Sequence, residues 1–279
     1  MKLDKKRIFA FWEPKENLPA YLKLCIKTWE RFLSDYEIVI LDYSNIDKWL
    51  DKNFFDKTLY SDYTLPKQAD AIRCALLKKY GGIWFDCDTI ITSENFKEFL
   101  KIDSNCIMLG RHIGFIIANQ NAKILRIWLK AVKRNLLLHK LCKKKFFRKI
   151  YSLFDKNFVK YMDDWDFLGN RILNKYMATM QEKDFYSIDK IKYSAFPEEK
   201  MLIEKDIERT SENRLKAYVD FYFTNNDYTE YTLENTSGII SLHNSWTPDK
   251  YKNMSEEEFL EQDITLAKIL KKLVAEERE

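Results

Sequence analysis

The stretch Tyr80-Gly-Gly-Ile-Trp-Phe-Asp-Cys-Asp-Thr89 indicates the fold of this 279-residue chain more clearly than any other segment. Its apolar run, Ile83 to Phe85, predicts a short buried strand, and Asp86 and Asp88 follow at its carboxyl end. Because side chains two apart on a strand point the same way, we expect both carboxylates on one face. Cys87 should then point the opposite way, into the sheet, as a small buried hydrophobe. Two hard oxygen ligands suit Mg²⁺ or Mn²⁺, and such ions in turn bind a diphosphate.

The setting of this Asp-x-Asp pair distinguishes it from a chance match. A chain this rich in Asp should contain the bare pattern about once or twice by chance, and Asp164-Trp-Asp166 also matches. Leu65 to Tyr80, however, predicts an amphipathic helix that Gly81-Gly82 ends, and the strand follows at once. The alternative interpretation is that Asp86 and Asp88 only end a strand and begin a turn.

The elements before this helix alternate between strand and helix. Strand, helix and strand within about 40 residues form a βαβ unit, so the pattern predicts an α/β fold with a Rossmann-like sheet and ligands at the strand carboxyl ends. Neither G-x-G-x-x-G nor G-x-x-x-x-G-K-[ST] occurs, which disfavours dinucleotide oxidoreductases and P-loop NTPases. The predicted elements are strands over Arg7–Trp12 and Glu37–Leu41, a helix over Pro19–Phe32 and a looser helical stretch over Asn45–Tyr60.

Composition and charge narrow the function classes. With 47 basic and 43 acidic residues the net charge is only +4, so no nucleic-acid partner is expected. Five cysteines, an odd number without a C-x-x-C pair, indicate neither a zinc site nor a disulfide framework. A reducing cytoplasm is the expected location, and no signal peptide or membrane span is predicted.

The second half of the chain is predicted to contain a basic helical region over residues 122–180, after strands at Cys106–Leu109 and Gly114–Ala118. Between Lys130 and Lys149 lie nine Lys or Arg residues and no acid, interleaved with leucines and phenylalanines. This composition fits a membrane-surface segment and an ordinary solvated helix face equally well. The last stretch, Ser255–Glu279, predicts a helix that Ser255 caps.

A longer segment, Gln68-Ala-Asp-Ala-Ile-Arg-Cys-Ala-Leu-Leu-Lys-Lys-Tyr-Gly-Gly-Ile-Trp-Phe-Asp-Cys-Asp-Thr89, resembles the signature of the sugar-binding Asp-x-Asp glycosyltransferases. These include glycosyltransferase family 32, the bacterial capsular polysaccharide synthesis transferases, the yeast initiating mannosyltransferases and, more distantly, the clostridial glucosylating toxins. The resemblance extends from Ile8 to Ile91 and returns at Ser241 to Trp246. It implies a GT-A-type fold, a Rossmann-like mixed sheet flanked by helices, as one catalytic domain over residues 1–279 with a basic helical insertion and acceptor-side region at 122–180.

The resemblance also implies a metal site. Asp88 resembles the direct ligand of Mn²⁺ or Mg²⁺, and Asp86 resembles the residue that binds the ribose and, through water, the metal. His243 lies where related enzymes place a metal or diphosphate ligand, although a lone His is usually structural. Ser245 and Trp246 resemble the Ser and Trp that close over the diphosphate.

Further residues are implied to bind the donor or to take part in catalysis. Asp70 and Arg73 resemble the Asp and Arg that contact the donor's sugar and its ribose or phosphate, and the alternative is a surface or intrahelical ion pair. Trp12 is similar to the aromatic that stacks on the base, or belongs to the core. Tyr80, at the end of the signature helix, is assigned to donor binding. Asp166 is a candidate for the acceptor side or the sugar, or only starts a helix.

These motifs predict a metal-dependent glycosyltransferase, and the resemblance implies that it retains the anomeric configuration. It would move a sugar from a nucleotide-sugar donor, expected to be UDP-linked, to a polysaccharide or a lipid-linked oligosaccharide in capsule or surface polysaccharide synthesis. The Lys130–Lys149 stretch would place it peripherally on the inner face of the cell membrane, in contact with anionic lipid. The alternatives are a metal-dependent nucleotidyltransferase or phosphohydrolase, a non-catalytic binding module, and an effector that glycosylates a host protein.

Overall fold

The computed structural model describes Leu3 and residues 5–189, 195–225 and 227–275. Contacts between residues group the chain into two compact units. The expectation of one catalytic domain over residues 1–279 stays a prediction. The first unit comprises Met1–Glu13, Val39–Trp84 and Asp103–Ser187, and the second comprises Pro14–Ile38, Phe85–Ile102 and Ile188–Glu279.

The strands among the described residues are β1 Arg7–Phe11, β2 Glu37–Leu41, β3 Gly82–Phe85, β4 Thr89–Ile91, β5 Cys106–Leu109, β6 His112–Ala118, β7 Tyr186–Ile188 and β8 Ile239–Ser241. Six of them form one sheet in the order β2-β1-β3-β6-β5-β7. β1 and β3 run parallel, with Ile8 opposite Ile83, whereas β5 and β6 run antiparallel, with Ile107 opposite Ile117. The predicted α/β class, a mixed sheet flanked by helices, is therefore confirmed.

The α-helices vary from single turns to one of 20 residues. Among the described residues, no helix combines the length and the apolar character needed to cross a membrane. The helices are α1 Ala20–Phe32, α2 Ile46–Trp49, α3 Lys52–Phe55, α4 Leu65–Tyr80, α5 Lys123–Cys142, α6 Lys145–Phe154, α7 Lys156–Tyr161, α8 Asn170–Met177, α9 Pro197–Glu204, α10 Ser211–Val219, α11 Thr229–Asn235, α12 Asp249–Lys252, α13 Glu256–Leu260 and α14 Thr265–Ala275.

The looser helical stretch predicted over Asn45–Tyr60 is divided into α2, α3 and a 3₁₀ turn at Lys57–Leu59. Two aspartates cause the interruptions, because each caps a new helical start. The Asp51 side chain accepts hydrogen bonds from the N–H groups at the start of α3, and the Asp56 side chain accepts one from the N–H of Thr58.

The predicted C-terminal helix over Ser255–Glu279 is wrong as a single element, because α13 and α14 replace it. Its Ser255 cap is confirmed: Ser255 and Glu258 form a reciprocal capping box. The break follows from a tertiary contact, since both the N–H and the hydroxyl of Thr265 donate to the carbonyl O of Asn225 at 2.8 Å. Residues 276–279 of the prediction lie outside the described residues.

In the first unit, α4 packs Ala71, Ile72, Ala75 and Leu76 into the core. It ends at Gly81, which has a φ of +64° and donates its N–H to the carbonyl O of Leu77 at 2.8 Å. At Gly82, with a φ of +104°, a Cβ would lie 2.8 Å from the carbonyl O of Arg7. The two glycines therefore allow the chain to turn and β3 to approach β1 closely.

The helical region predicted over residues 122–180 contains α5 to α8. Its first helix is part of the core of the first unit, through Leu125, Trp128 and Val132. The indole N–H of Trp128 donates to the carbonyl O of Leu168 at 2.6 Å. This bond anchors the segment before α8 to α5.

In the second unit, β4 and β8 form a two-stranded antiparallel sheet with Ile90 opposite Ile240. Trp29 of α1 is fully buried beside it, with its ring centroid 5.1 Å from that of Phe85. The Trp29 indole N–H donates to the carbonyl O of Thr89 at 2.7 Å. Trp29 therefore fixes the start of β4.

Candidate functional site

Asp70 and Arg73 form a buried ion pair on α4, in the first unit. Each is only 4% exposed, and Nη2 of Arg73 lies 3.4 Å from Oδ1 of Asp70. The other guanidinium nitrogens donate to backbone carbonyls, Nε to Ala69 at 3.3 Å and Nη1 to Ile113. The guanidinium also lies 5.0 Å from the ring centroid of Trp84. The geometry matches the intrahelical alternative, and contact of this pair with a donor stays a prediction.

Gly169 lies against the carboxylate of Asp70. A Cβ at position 169 would be 2.6 Å from Cδ1 of Ile113 and 3.0 Å from Cγ of Asp70, and it would come closer still to Oδ2 of Asp70. The N–H of Gly169 donates to the carbonyl O of Asp166 at 3.1 Å. The missing side chain therefore lets the Asp70 carboxylate approach the turn that leads into α8.

Asp86 and Asp88 belong to the aspartate turn, residues 86–89 of the second unit. β3 ends at Phe85, and the N–H of Thr89 donates to the carbonyl O of Asp86 at 3.0 Å. Both aspartates therefore lie beyond β3, as the alternative interpretation of a turn has it, and the expectation that their carboxylates share one face stays a prediction. Cys87 is buried, as predicted, and both aspartates are half-buried.

Hydrogen bonds join the aspartate turn to the β8 loop, residues 242–247. The N–H of Leu242 donates to the carbonyl O of Asp88, and the N–H of Asn244 donates to its Oδ2, both at 2.9 Å. The Tyr21 hydroxyl in turn donates to Oδ1 of Asn244 at 2.5 Å. The sequence separates these residues widely, and the second unit brings them together around the Asp88 carboxylate.

The predicted residues of the β8 loop lie beside Asp88 in the chain's second unit. The His243 ring packs among aromatic rings, with centroid distances of 4.1 Å to Trp246, 5.4 Å to Phe196 and 5.5 Å to Tyr218. Trp246 is half-buried, and Ser245 is exposed. The aromatic contacts hold the His243 ring, while the Ser245 side chain is accessible to a ligand.

The two aspartates also act on the neighbouring titratable groups. Burial raises the pKa of the Cys87 thiol, and Asp86 and Asp88 raise it further. Burial likewise raises the pKa of Tyr21 and of Tyr218, with a smaller contribution from Asp88. The Tyr21 hydroxyl therefore stays protonated and able to donate at neutral pH. A cation at the turn would offset the negative charge that these groups experience.

The donor set of the aspartate turn fits Mn²⁺ or Mg²⁺. Proteins hold such hard ions with one or two carboxylates, together with substrate phosphates and water, and the turn supplies two carboxylates within three residues. Within the described ranges, no three His, Cys, Asp or Glu side chains are arranged to hold a metal. Direct ligation by His243 therefore stays a prediction.

Trp12 and Tyr80 both lie in the first unit. Trp12 is half-buried directly after β1, and its backbone N–H donates to the carbonyl O of Leu41 at 2.9 Å. The Tyr80 hydroxyl donates to the carbonyl O of Trp49 at 2.8 Å, and the centroids of these two rings lie 5.4 Å apart. The contacts of Tyr80 are those of a packing residue, and the donor roles of Tyr80 and Trp12 stay predictions.

Asp166 forms an ion pair with Arg171. Nε of Arg171 donates to Oδ1 of Asp166 at 3.1 Å, and Nη2 donates to Oδ2 of Asp164 at 2.8 Å. The carbonyl O of Asp166 also accepts the backbone N–H of Arg171 at 3.2 Å. These bonds stabilise the start of α8, which matches the alternative interpretation that Asp166 only starts a helix. The acceptor-side role of Asp166 stays a prediction.

Three residues that shape these clusters were absent from the sequence-based set. Asn244 lies within the stretch Ser241 to Trp246 that carries the resemblance, and Gly169 follows three residues after Asp166, so the sequence pointed to their neighbourhoods but not to their contacts. Tyr21 had no such signal, because its partner Asn244 is 223 residues away.

Comparison with known proteins identifies the family. The family described as "Capsular polysaccharide synthesis protein" matches residues 1–262. The chain therefore belongs to the capsular polysaccharide synthesis family, and the expected role in capsular polysaccharide synthesis is confirmed.

Two solved structures are also similar to this chain. The PaToxG glycosyltransferase is 13% identical with a TM-score of 0.37, over 84% of this chain and 88% of that one. The apo form of the glycosyltransferase GlyE from Streptococcus pneumoniae TIGR4 is 13% identical with a TM-score of 0.41, over 97% of this chain and 64% of that one. The comparison with curated proteins gave no match.

Proposed function

We propose that this protein is a glycosyltransferase that holds Mn²⁺ or Mg²⁺ at the aspartate turn and takes its sugar from a nucleotide-sugar donor, a UDP-sugar. The observation that carries the proposal is the pairing of Asp88 with the β8 loop, in which the N–H of Asn244 lies 2.9 Å from the Asp88 carboxylate. This bond orients a hard oxygen ligand at Asn244, the residue that precedes the exposed Ser245 in the chain. A divalent ion needs such an oxygen ligand, and a diphosphate needs such a hydrogen-bond donor.

The metal would neutralise the negative charge that develops on the leaving nucleoside diphosphate. Asp88 and Asp86 would hold it, and Tyr21 positions Asp88 through Asn244. The Ser245 hydroxyl would donate to a phosphate oxygen. Enzymes exclude water from a reaction by covering the reacting groups. Trp246 would cover the diphosphate and the sugar here, and transfer to an acceptor hydroxyl would then prevail over hydrolysis.

The proposed acceptor is a polysaccharide or a lipid-linked oligosaccharide, and the transfer retains the anomeric configuration. As the glycosidic bond breaks, the sugar develops oxocarbenium character and an acceptor hydroxyl attacks it. Asp70 and Arg73 are proposed to contact the donor and Asp166 to face the acceptor. Family membership supports the saccharide acceptor. The basic Lys130–Lys149 stretch supports a peripheral membrane location, where a lipid-linked acceptor would be found.

Donor turnover tests the proposal. Release of nucleoside diphosphate is measured across a panel of nucleotide sugars with Mn²⁺, Mg²⁺ or EDTA, for the wild type and for Asp88→Asn. Asp164→Asn is the matched control, because it changes the other Asp-x-Asp copy, whose carboxylate pairs with Arg171.

We expect metal-dependent release from one donor, reduced about 100-fold or more in Asp88→Asn because a charged metal ligand is lost, and unchanged in Asp164→Asn. Release of inorganic phosphate alone would favour the phosphohydrolase. Failure of every nucleotide sugar to bind in the presence of metal would refute the proposal and favour a binding module.

A further inference from the structure

Helix α6, Lys145–Phe154, has no buried residue, although it is rich in large apolar side chains. Every residue from Lys143 to Ile150 is exposed. Globular proteins normally pack the apolar face of such a helix against a core. In this chain that face is open to the surroundings.

The exposed apolar side chains follow helical spacing. Phe146, Ile150, Leu153 and Phe154 lie at positions i, i+4, i+7 and i+8, and therefore share one face of α6. Phe146 is 70% exposed, Leu153 is 82% and Phe154 is 81%. Phe147 borders the same face and is also exposed. These five side chains form the α6 apolar face.

The side of α6 that flanks the apolar face is basic. Lys145, Arg148 and Lys149 lie on it at positions i, i+3 and i+4. Arg148 approaches Asp163 at 3.5 Å, in a pair with both side chains about half-exposed or more. Such an exposed pair contributes little and leaves this side strongly positive. No acid occurs between Lys130 and Lys149.

We propose that the α6 apolar face inserts into the surface of an anionic lipid bilayer while the flanking lysines and arginines contact the lipid headgroups. An amphipathic helix with Phe and Leu on one face and Lys or Arg on the other binds membranes in this way, lying in the plane of the interface. The proposal deepens the peripheral location that forms part of the proposed function. It differs from a purely electrostatic contact, because it requires apolar insertion.

Charge decides between a bilayer and a second copy of this chain as the occupant of the α6 apolar face. Two copies meeting through this face would bring two clusters of like charge together, which disfavours the contact. A bilayer that contains anionic lipid supplies opposite charge at the rim of the face and an apolar interior beneath it. The bilayer therefore complements both the basic residues of α6 and the α6 apolar face.

Vesicle sedimentation with the full chain tests the inference. The vesicles contain phosphatidylcholine and phosphatidylglycerol in equal parts, or phosphatidylcholine alone. The variants are Leu153→Ser with Phe154→Ser, which shortens the apolar face, and Lys145→Gln with Lys149→Gln, which removes charge only. The matched control replaces two exposed apolar residues elsewhere, Ile203→Ser with Leu215→Ser.

We expect the wild type to bind the mixed vesicles at low salt. The apolar variant should bind at least about tenfold more weakly, and the charge variant about fivefold more weakly for each charge removed. The control should bind like the wild type. Donor hydrolysis should be unchanged in all variants, so that a failure of membrane binding is distinguishable from a failure of the proposed catalysis.

Three results would overturn the inference. One is no binding of the wild type to mixed vesicles at low salt, and another is equal binding by the wild type and the apolar variant. The third is a dimer, seen by light scattering, that Leu153→Ser with Phe154→Ser dissociates without any change in vesicle binding. Thermal unfolding of each variant confirms that the exposed substitutions leave the fold intact.

Discussion

Replacing Gly169 with Ala should displace the Asp70 carboxylate without changing the charge of either residue. The new Cβ would lie 2.6 Å from Cδ1 of Ile113 and 3.0 Å from Cγ of Asp70, whereas ordinary contacts begin at 3.4 Å. Because Asp70 is buried and paired with Arg73, any shift of its carboxylate that relieves this overlap also disturbs the ion pair. We therefore expect the carboxylate to move by about 1 Å, and such a shift of a positioned group lowers a rate about 100-fold.

Two assays measure this effect. Gly169→Ala should lower kcat/KM for donor turnover about 100-fold and the free energy of unfolding by about 1–3 kcal/mol, the usual cost of overpacking. Asn170→Ala is the matched control at the next position, because it leaves the space beside Asp70 unchanged. If Gly169→Ala turns over donor like the wild type while unfolding at lower denaturant, Asp70 has no positional role in catalysis.

Two further predictions concern a positioning hydroxyl and a buried histidine. Tyr21→Phe removes the hydroxyl that donates a hydrogen bond to Asn244, and it should lower the apparent metal affinity about tenfold. The affinity is measured as the Mn²⁺ concentration for half-maximal turnover, and an unchanged value would exclude a positioning role. Burial lowers the pKa of His139 below its ordinary value of 6.5, and Asp163 offsets this only in part. The unfolded chain then binds a proton more readily than the folded one, so this group makes the folded state less stable as the pH falls from about 6.5 towards the lowered pKa. Denaturant titrations between pH 7 and pH 5 should show a smaller loss of stability for His139→Gln than for the wild type, and equal losses would contradict this reasoning.

Local sequence signals were sufficient for the elements around the signature. The bounds of α4 and β2 match the predicted Leu65–Tyr80 and Glu37–Leu41. In α4, a strong helical periodicity of apolar residues ends at Gly81-Gly82. In β2, an unbroken run of β-branched residues also meets a clear end signal. Gly82 is required by the close approach of the backbone at Arg7, and Gly81 by its positive φ, so the residue type itself carries the structural information.

Tertiary contacts explain what the sequence did not predict. The C-terminal helix is broken because Thr265 bonds to Asn225, far away in the sequence. Asp88 is oriented by Asn244, and the residue that holds Asn244, Tyr21, belongs to a helix near the other end of the chain. A motif identifies which residues carry the chemistry, but the supporting residues become visible only when distant segments meet.

Isothermal titration of Mn²⁺ together with UDP tests the central claim most directly, because it measures the metal site without an acceptor or turnover. The wild type should bind the pair, Asp88→Asn should bind it at least about tenfold more weakly, and Asp164→Asn should match the wild type. Equal binding by the wild type and Asp88→Asn would contradict the assignment of the aspartate turn as the metal and diphosphate site.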